Sequence, residues 1–246
     1  MEYGVCIKEA RPPRQVRMRR RDGEFIRRRL MGKVKVIYEI FFAVLVSMIF
    51  ASCSKSYSPE QKKYIAEVEK FRKEKDDFMK NNSDSPFNQD TKAEFHPLKY
   101  YDVNPDYVFK SNLYEYQQKD TVQVFGTKGE ERKAVRYGYV NINYKNKIYK
   151  INVYKGWTKN NQEYYSIWFT DETTGKATYG VGRYLDFDPA YRTGRLNPDP
   201  DYLYTIDFNL AYNPYCAYSS KYSCAIPNKE DHIALKIEAG EKNFHN

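Results

Sequence analysis

The chain has 246 residues and a formal net charge of +9, but its basic excess is concentrated at the N-terminal end. Residues 1–52 hold 12 Lys and Arg against 5 Asp and Glu, so a net charge of only +2 remains for residues 53–246. This distribution gives no support for a nucleic-acid-binding domain, and a mean hydropathy of −0.84 excludes a polytopic membrane protein. An aromatic content of 17% argues against disorder.

An apolar run from Ile40 to Ala51 follows a positive flank that contains Lys33 and Lys35. The run is shorter than the about 20 residues that a membrane-spanning helix needs, and it is typical of the apolar region of a signal peptide. We therefore interpret residues 31–52 as a signal peptide. An ordinary signal peptide and an uncleaved anchor are both alternatives to a lipoprotein signal.

The sequence Phe50-Ala51-Ser52-Cys53 favours the lipoprotein signal because it resembles a bacterial lipobox. In proteins with a lipobox, the cysteine thiol is acylated and the chain is cut just before it. The resemblance implies lipidation at Cys53 and a mature protein that is anchored to a membrane of the bacterial cell envelope, facing the periplasm. A further basic arm at residues 1–30 either precedes the true start at Met31 or is a genuine disordered extension.

The first element predicted in the mature chain is an amphipathic helix, which together with the lipidated end spans residues 53–80. Ser58 is suited to cap it, Pro59 to occupy its first position and Glu60 to lie near the positive end of its dipole. Apolar residues recur at helical spacing as far as about Met79, and the polar run from Asn81 to Pro86 ends the helix.

Residues 81–246 are predicted to form one β-rich domain. From about Tyr107 the apolar period falls to two, as in four segments whose inward residues are Tyr149, Ile151 and Val153; Tyr165, Ile167 and Phe169; Tyr204, Ile206 and Phe208; and Ile233, Leu235 and Ile237. The links are too short for crossover helices, so neighbouring strands are expected to be antiparallel. The sequence predicts a mainly β fold, with an N-terminal helix followed by a single barrel or sandwich of about seven to nine strands.

No strong catalytic or metal-binding motif occurs in the sequence. The HExxH, P-loop, GxSxG and paired CxxC patterns are all missing, and the three His residues are widely separated. No cofactor or metal is therefore predicted. An alternative metal site would use the thiolates of Cys216 and Cys224 with His232 or His245.

Two segments contain polar residues that are costly to bury: residues 179–186, which include Arg183, and residues 207–227. Asp207 and Asn209 are predicted on one strand face that leads into an irregular loop, and loops of this kind often carry binding sites. We predict a candidate ligand site formed by Arg183, Asp207, Asn209, Tyr212 and Asn213. Arg183 suits a small anionic ligand, whereas Tyr, Asn and Asp side chains also suit a glycan.

The structural alternative is that Arg183 forms a buried ion pair with Asp186, Asp188 or Asp207. Cys216 and Cys224 are eight residues apart, and in an exported protein such a pair is expected to form a disulfide. That disulfide would close the irregular loop.

The same segments carry a family resemblance. The motifs Phe169-Thr170-Asp171, TYGVGRYLD, DFN, AYNPYCAY, CAIP and the closing Ala239-Gly240-Glu241 resemble domain of unknown function 1684, over roughly Ser58 to Phe244. The family includes predicted lipoproteins, and its name implies no mechanism. This chain has CAIPN where the family pattern suggests a second Pro directly after the Cys.

Taken together, the sequence predicts a lipid-anchored binding or interaction module. The alternative is a small hydrolase centred on Arg183, Asp207 and the loop from Asn213 to Cys224. An enzyme of that kind would need a proton carrier, for which Asp207 is the best candidate. The two interpretations differ in whether these polar groups converge in a concave pocket.

Overall fold

The computed structural model describes residues 56–158, 160–187 and 196–245. The basic arm at residues 1–30, the signal peptide at 31–52 and Cys53 lie outside the described residues. Within the described part of the chain, no helix has both the length and the apolar character needed to cross a membrane. Tyr57–Asn246 forms one compact unit.

Helix α1, Pro59–Asn81, begins as the sequence predicts. The Ser58 hydroxyl accepts a hydrogen bond from the Gln61 backbone N–H at 3.2 Å, and the Gln61 side chain accepts one from the Ser58 N–H at 3.0 Å. This reciprocal capping satisfies two backbone donors that the first turn leaves unpaired. The helix ends at Asn81 because Asn82 is extended, and the short helix α2, Pro86–Gln89, follows.

The remaining elements are mainly strands, which confirms the predicted fold class. Nine strands are described: β1 Val108–Ser111, β2 Tyr114–Glu115, β3 Thr121–Phe125, β4 Glu131–Tyr144, β5 Lys147–Trp157, β6 Glu163–Asp171, β7 Arg183–Asp186, β8 Tyr204–Asp207 and β9 His232–Ile233. The larger sheet has the order β2-β4-β5-β6-β7, with β3 also paired to β4 and β9 to β6. A smaller antiparallel sheet pairs β1 with β8. The described strands do not close into a barrel, so the architecture is sandwich-like.

The core lies between the sheets and is built from the predicted inward positions. Ile151 and Val153 of β5 and Ile167 and Phe169 of β6 are at most 3% exposed. They pack in one cluster with Ile206, among other residues. Burial of this alternating face is the main source of stability that the β-rich segment can offer.

Two of the predicted strands are shorter than the sequence pattern suggests. Strand β8 stops at Asp207 because the Asp207 carboxylate accepts the Asn209 N–H at 2.9 Å and starts a 3-10 turn at Phe208. Strand β9 has two residues, and unlike the other strand pairs described here it runs parallel to its neighbour, β6. Phe208 and Ile237 are nevertheless fully buried. The apolar pattern therefore predicted their burial correctly, although neither residue lies in a strand.

Candidate ligand-binding site

Arg183, the first residue of β7, is 1% exposed and forms a buried ion pair. Its guanidinium donates hydrogen bonds to three carbonyls of the C-terminal segment, those of Ala239 at 2.5 Å, Ile237 at 3.0 Å and Glu241 at 3.3 Å. It also pairs with the Asp171 carboxylate at 3.4 Å. The predicted ion pair exists, but its partner is Asp171 and neither Asp186 nor Asp207; Asp188 lies outside the described residues.

Asp171 is the centre of this arrangement. Its carboxylate accepts hydrogen bonds from the Thr173 hydroxyl at 2.9 Å, the Thr174 hydroxyl at 3.1 Å and the Ile237 N–H at 2.9 Å. Burial lowers the pKa of the Arg183 guanidinium, while the Asp171 charge acts in the opposite direction. Because the charge is enclosed and paired, Arg183 fastens the C-terminal segment to β6 and is not presented to a ligand.

Gly182 allows Arg183 to reach this position. Its φ of +109° lies in the region that favours glycine, and a Cβ atom there would lie 2.6 Å from the Phe169 carbonyl oxygen. Strand β7 can therefore approach β6 closely, and the Arg183 guanidinium lies 5.2 Å from the centre of the Phe169 ring.

Asp207 and Asn209 come together as predicted, but they bind helix α1. The Tyr64 hydroxyl donates to Asp207 Oδ2 at 2.7 Å and accepts from Asn209 Nδ2 at 3.0 Å. The Asn209 side chain also exchanges hydrogen bonds with the Asn104 backbone, at 2.8 and 2.9 Å. Burial, and then the Asp207 charge, raise the pKa of Tyr64, so the phenol remains a hydrogen-bond donor.

Arg72, about two turns further along α1 than Tyr64, completes this attachment. It donates to the Tyr101 carbonyl at 2.8 Å and to the Asn209 carbonyl at 3.2 Å. Burial lowers the pKa of the Arg72 guanidinium. Helix α1 is thus held to the sandwich by polar contacts along its length.

Asn213 belongs to a second polar group, which is centred on Glu241, whereas the Tyr212 hydroxyl donates to Asp186. Glu241 is 1% exposed; its carboxylate pairs with Lys75 of α1 at 2.6 Å and accepts the Asn213 N–H at 2.9 Å. The Tyr218 hydroxyl also donates to this carboxylate. The Asn213 side chain donates to the Lys242 carbonyl at 2.8 Å, so Asn213 joins the loop to the C-terminal segment.

The two cysteines of the loop are free thiols in the structure, and the predicted disulfide is not formed. The Cys216 N–H donates to Cys224 Sγ at 3.2 Å. A hydrogen bond from Cys224 lowers the pKa of the Cys216 thiol to about 6, and the same contact raises the pKa of Cys224. The loop is therefore held by backbone contacts and this thiol pair.

The alternative metal site is not assembled. His232 Nδ1 lies 3.1 Å from the Thr170 hydroxyl, and His245 contacts the Phe244 ring. Among residues 56–158, 160–187 and 196–245, no group of three His, Cys, Asp or Glu side chains is placed to hold a metal ion.

A small pocket lies where helix α1 meets the edges of β7 and β8. Its volume is about 150 Å³, and its lining residues are Phe71, Lys75, Leu185, Asp186, Thr205, Asp207, Leu210 and Tyr212. The wall is mainly apolar, and its polar groups are two carboxylates, a threonine hydroxyl, a tyrosine hydroxyl and the Lys75 ammonium. Of the five predicted ligand residues, only Asp207 and Tyr212 line this pocket.

The electrostatics of the pocket favour a ligand that donates hydrogen bonds. Lys75 is already paired with Glu241 and lies 4.8 Å from the centre of the Tyr212 ring. Among the described residues, the Asp186 carboxylate accepts one hydrogen bond, from the Tyr212 hydroxyl at 2.7 Å, and a carboxylate has about four acceptor positions. Burial, and then the Asp186 charge, raise the pKa of Tyr212 well above its usual range. An anionic ligand would face two carboxylates and a lysine whose charge is already balanced.

Helix α1 contributes to this pocket, which the sequence did not predict. Phe71 and Lys75 are four residues apart on α1 and therefore share a face, and Tyr64 lies seven residues before Phe71. This helical spacing was the sequence signal that could have shown which face of α1 packs against the domain. Two residues of the alternative hydrolase centre have separate partners within the described part of the chain: Arg183 bonds to Asp171 and the C-terminal carbonyls, and Asp207 to Tyr64 and Asn209.

Comparison with known proteins places the chain in an uncharacterised group. Residues 93–242 match the family described as "Protein of unknown function (DUF1684)". The solution NMR structure of the uncharacterized protein from gene locus rrnAC0354 of Haloarcula marismortui is similar in fold, with a TM-score of 0.54 and 24% sequence identity. That match covers 76% of this chain and 98% of the archaeal one. No curated protein matches the chain.

Proposed function

The chain belongs to the DUF1684 family of proteins of unknown function, and we propose that it is a lipid-anchored envelope protein whose pocket beside helix α1 binds a small polyhydroxylated ligand such as a sugar ring. The observation that carries the ligand proposal is the composition of that pocket, which combines an apolar wall with two carboxylates. The family description supplies no activity for this chain.

The ligand class follows from the arrangement of the lining groups. A sugar ring has an apolar C–H face, which suits the Phe71 and Tyr212 rings, and hydroxyl groups, which suit the acceptor oxygens of Asp186. The Asp207 oxygens already accept from Tyr64 and Asn209, so Asp186 is the main acceptor. Phe71 is 39% exposed, so its ring is accessible from solvent. The volume of about 150 Å³ is below the several hundred Å³ typical of drug-sized ligands, which limits the occupant to a fragment of about one ring.

Filling the pocket tests the ligand proposal. Thr205 is exposed and lines the pocket, so Thr205→Phe should occupy the space without entering the core. Asn143→Phe, at an exposed position of β4, is the matched control. In a thermal-shift screen of sugars, polyols and small carboxylates, wild type and the control should respond to the same sugars or polyols, and Thr205→Phe should not respond. A response only to carboxylates, or one that survives in Thr205→Phe, would contradict the proposal.

The lipid anchor is supported by the lipobox-like sequence that ends at Cys53. Acyl chains contribute about 0.8 kcal/mol per buried CH₂, and two or more of them anchor a protein stably without a spanning helix. Cys53→Ala should abolish incorporation of a fatty-acid analogue and leave the precursor uncleaved. Labelling that persists in this variant would contradict lipidation at Cys53.

A further inference from the structure

Four lysines from three segments of the chain line one open groove beside Tyr101. They are Lys99, Lys176, Lys236 and Lys242, and the groove has a volume of about 430 Å³. We name it the lysine groove. None of its lining residues belongs to the pocket beside helix α1, so it is a separate surface.

Backbone hydrogen bonds hold the three segments together. The Lys242 N–H donates to the Lys99 carbonyl at 2.8 Å, and the Asn243 N–H donates to the Ala177 carbonyl at 2.9 Å. The Glu172 N–H donates to the Leu235 carbonyl at 3.2 Å. The groove is therefore a fixed feature of the fold, and the lysine side chains extend from a defined scaffold.

The charge of the lysine groove is positive on balance. Its acidic residues are Glu172 and Glu238, and the Lys236 ammonium pairs with Glu238 at 2.7 Å. Four lysines against two glutamates leave a formal charge of +2 with His245 neutral. Ammonium groups on long flexible side chains suit phosphate groups as point charges, without the fixed geometry that arginine imposes.

The start of the described chain lies beside this groove. Tyr101 lines the lysine groove and also a neighbouring depression that Tyr57 lines. Cys53 is four residues before Tyr57, and four extended residues span at most about 14 Å. If Cys53 is lipidated, Tyr57 would therefore be tethered within about 14 Å of the acylated residue.

We propose that the lysine groove binds the phosphate headgroups of anionic phospholipids. This inference rests on the proposed lipid anchor, because a short tether would keep the groove at the membrane surface. Each basic residue near an anionic leaflet strengthens attraction about five-fold, which corresponds to about 1 kcal/mol. The acyl chains would hold the domain at the membrane, and the lysine groove would set its orientation there.

The test uses the chain from Ser56 to Asn246, which lacks Cys53 and contains the compact unit. Vesicles of phosphatidylcholine alone are compared with vesicles that also contain about 30% phosphatidylglycerol, in a sedimentation assay at low salt. Wild type should bind the anionic vesicles and not the neutral ones. Lys176→Gln with Lys242→Gln should weaken that binding about 25-fold, or about five-fold for each lysine.

The matched control carries Lys133→Gln with Lys147→Gln, two exposed lysines of β4 and β5. It changes the net charge equally, so it should bind within about two-fold of wild type if the groove is the site. Equal binding to both kinds of vesicle, or equal losses in the two double variants, would overturn the proposal. The shortened chain has no Cys53 and keeps the pocket beside helix α1. Those outcomes would therefore leave the tests of lipidation and of sugar binding unaffected.

Discussion

Replacing Arg183 by Met is the most direct test of the buried ion pair that fastens the C-terminal segment. Met is close to Arg in length but uncharged, so the change removes the hydrogen bonds to the Ala239, Ile237 and Glu241 carbonyls. It also leaves the Asp171 carboxylate, whose side chain is 0% exposed, without its cation.

The magnitude follows from the burial of both partners. Removing one member of a buried ion pair costs about 3–5 kcal/mol, because the other charge stays in a poorly solvated site. For a unit of this size, each kcal/mol lowers the Tm by about 2–4 °C, so Arg183→Met should unfold about 6–20 °C earlier. The free energy of unfolding would be measured by urea titration with circular dichroism, and the slope with denaturant should be unchanged.

Two further variants separate the ion pair from general damage. Adding Asp171→Asn to Arg183→Met removes the stranded charge, so part of the lost free energy of unfolding should return. Arg132→Met removes an arginine whose side chain is 45% exposed, and it should cost much less. If Arg183→Met stays within about 1 kcal/mol of wild type, the structural role assigned to Arg183 is refuted.

Three other predictions follow from the same contacts. Glu241→Gln should lower the free energy of unfolding by about 3–5 kcal/mol because it leaves Lys75 unpaired in a largely buried site, and an exposed control, Glu238→Gln, should show little change in the same urea titration. The rate of iodoacetamide labelling, followed by mass spectrometry, should rise at Cys216 as the pH passes about 6 and its thiolate forms. The labelling rate of Cys224 should rise only at higher pH. If both rates rise together near pH 8.5, the usual range for cysteine, this assignment is contradicted. Tyr64→Phe should cost about 1–3 kcal/mol because it removes the hydrogen bonds to Asp207 and Asn209, and an unchanged urea midpoint would show that this contact does not secure helix α1.

The parts of the fold that could be predicted are those that local pattern determines. Ser58 and Pro59 define the helix start through groups that lie within one turn of each other. The alternation of Ile151, Val153, Ile167 and Phe169 reports a buried strand face regardless of which strands pair. Barrel and sandwich share that alternation, so the choice between them required the strand order.

The partners of the buried charges could not be predicted because they depend on contacts distant in sequence. Arg183 pairs with Asp171 twelve residues away, across the register that places it opposite Phe169. Glu241 pairs with Lys75, which lies 166 residues earlier on the helix. Nearby carboxylates such as Asp186 were therefore plausible partners for Arg183 until the strand register was known.

Only part of the candidate site could be predicted, because its other residues come from a segment distant in sequence. Asp207 and Tyr212 belong to the segment that the sequence singled out, whereas Phe71 and Lys75 come from a helix whose docking face is evident only in the folded domain. Asn209 and Asn213 are polar and buried, at 1% and 2% exposure, because they satisfy backbone groups of neighbouring segments. A costly polar residue can thus mark a structural junction as well as a binding site.

The central claim, that the pocket beside helix α1 binds a sugar-like ligand, is tested most directly by mapping amide chemical shifts on titration with a sugar or polyol that stabilises the protein. If this claim is right, the shifts should cluster at Leu185, Thr205 and Leu210, which line the pocket, and Thr205→Phe should abolish them while Asn143→Phe should not. Shifts that cluster at another surface, or that persist in Thr205→Phe, would contradict it.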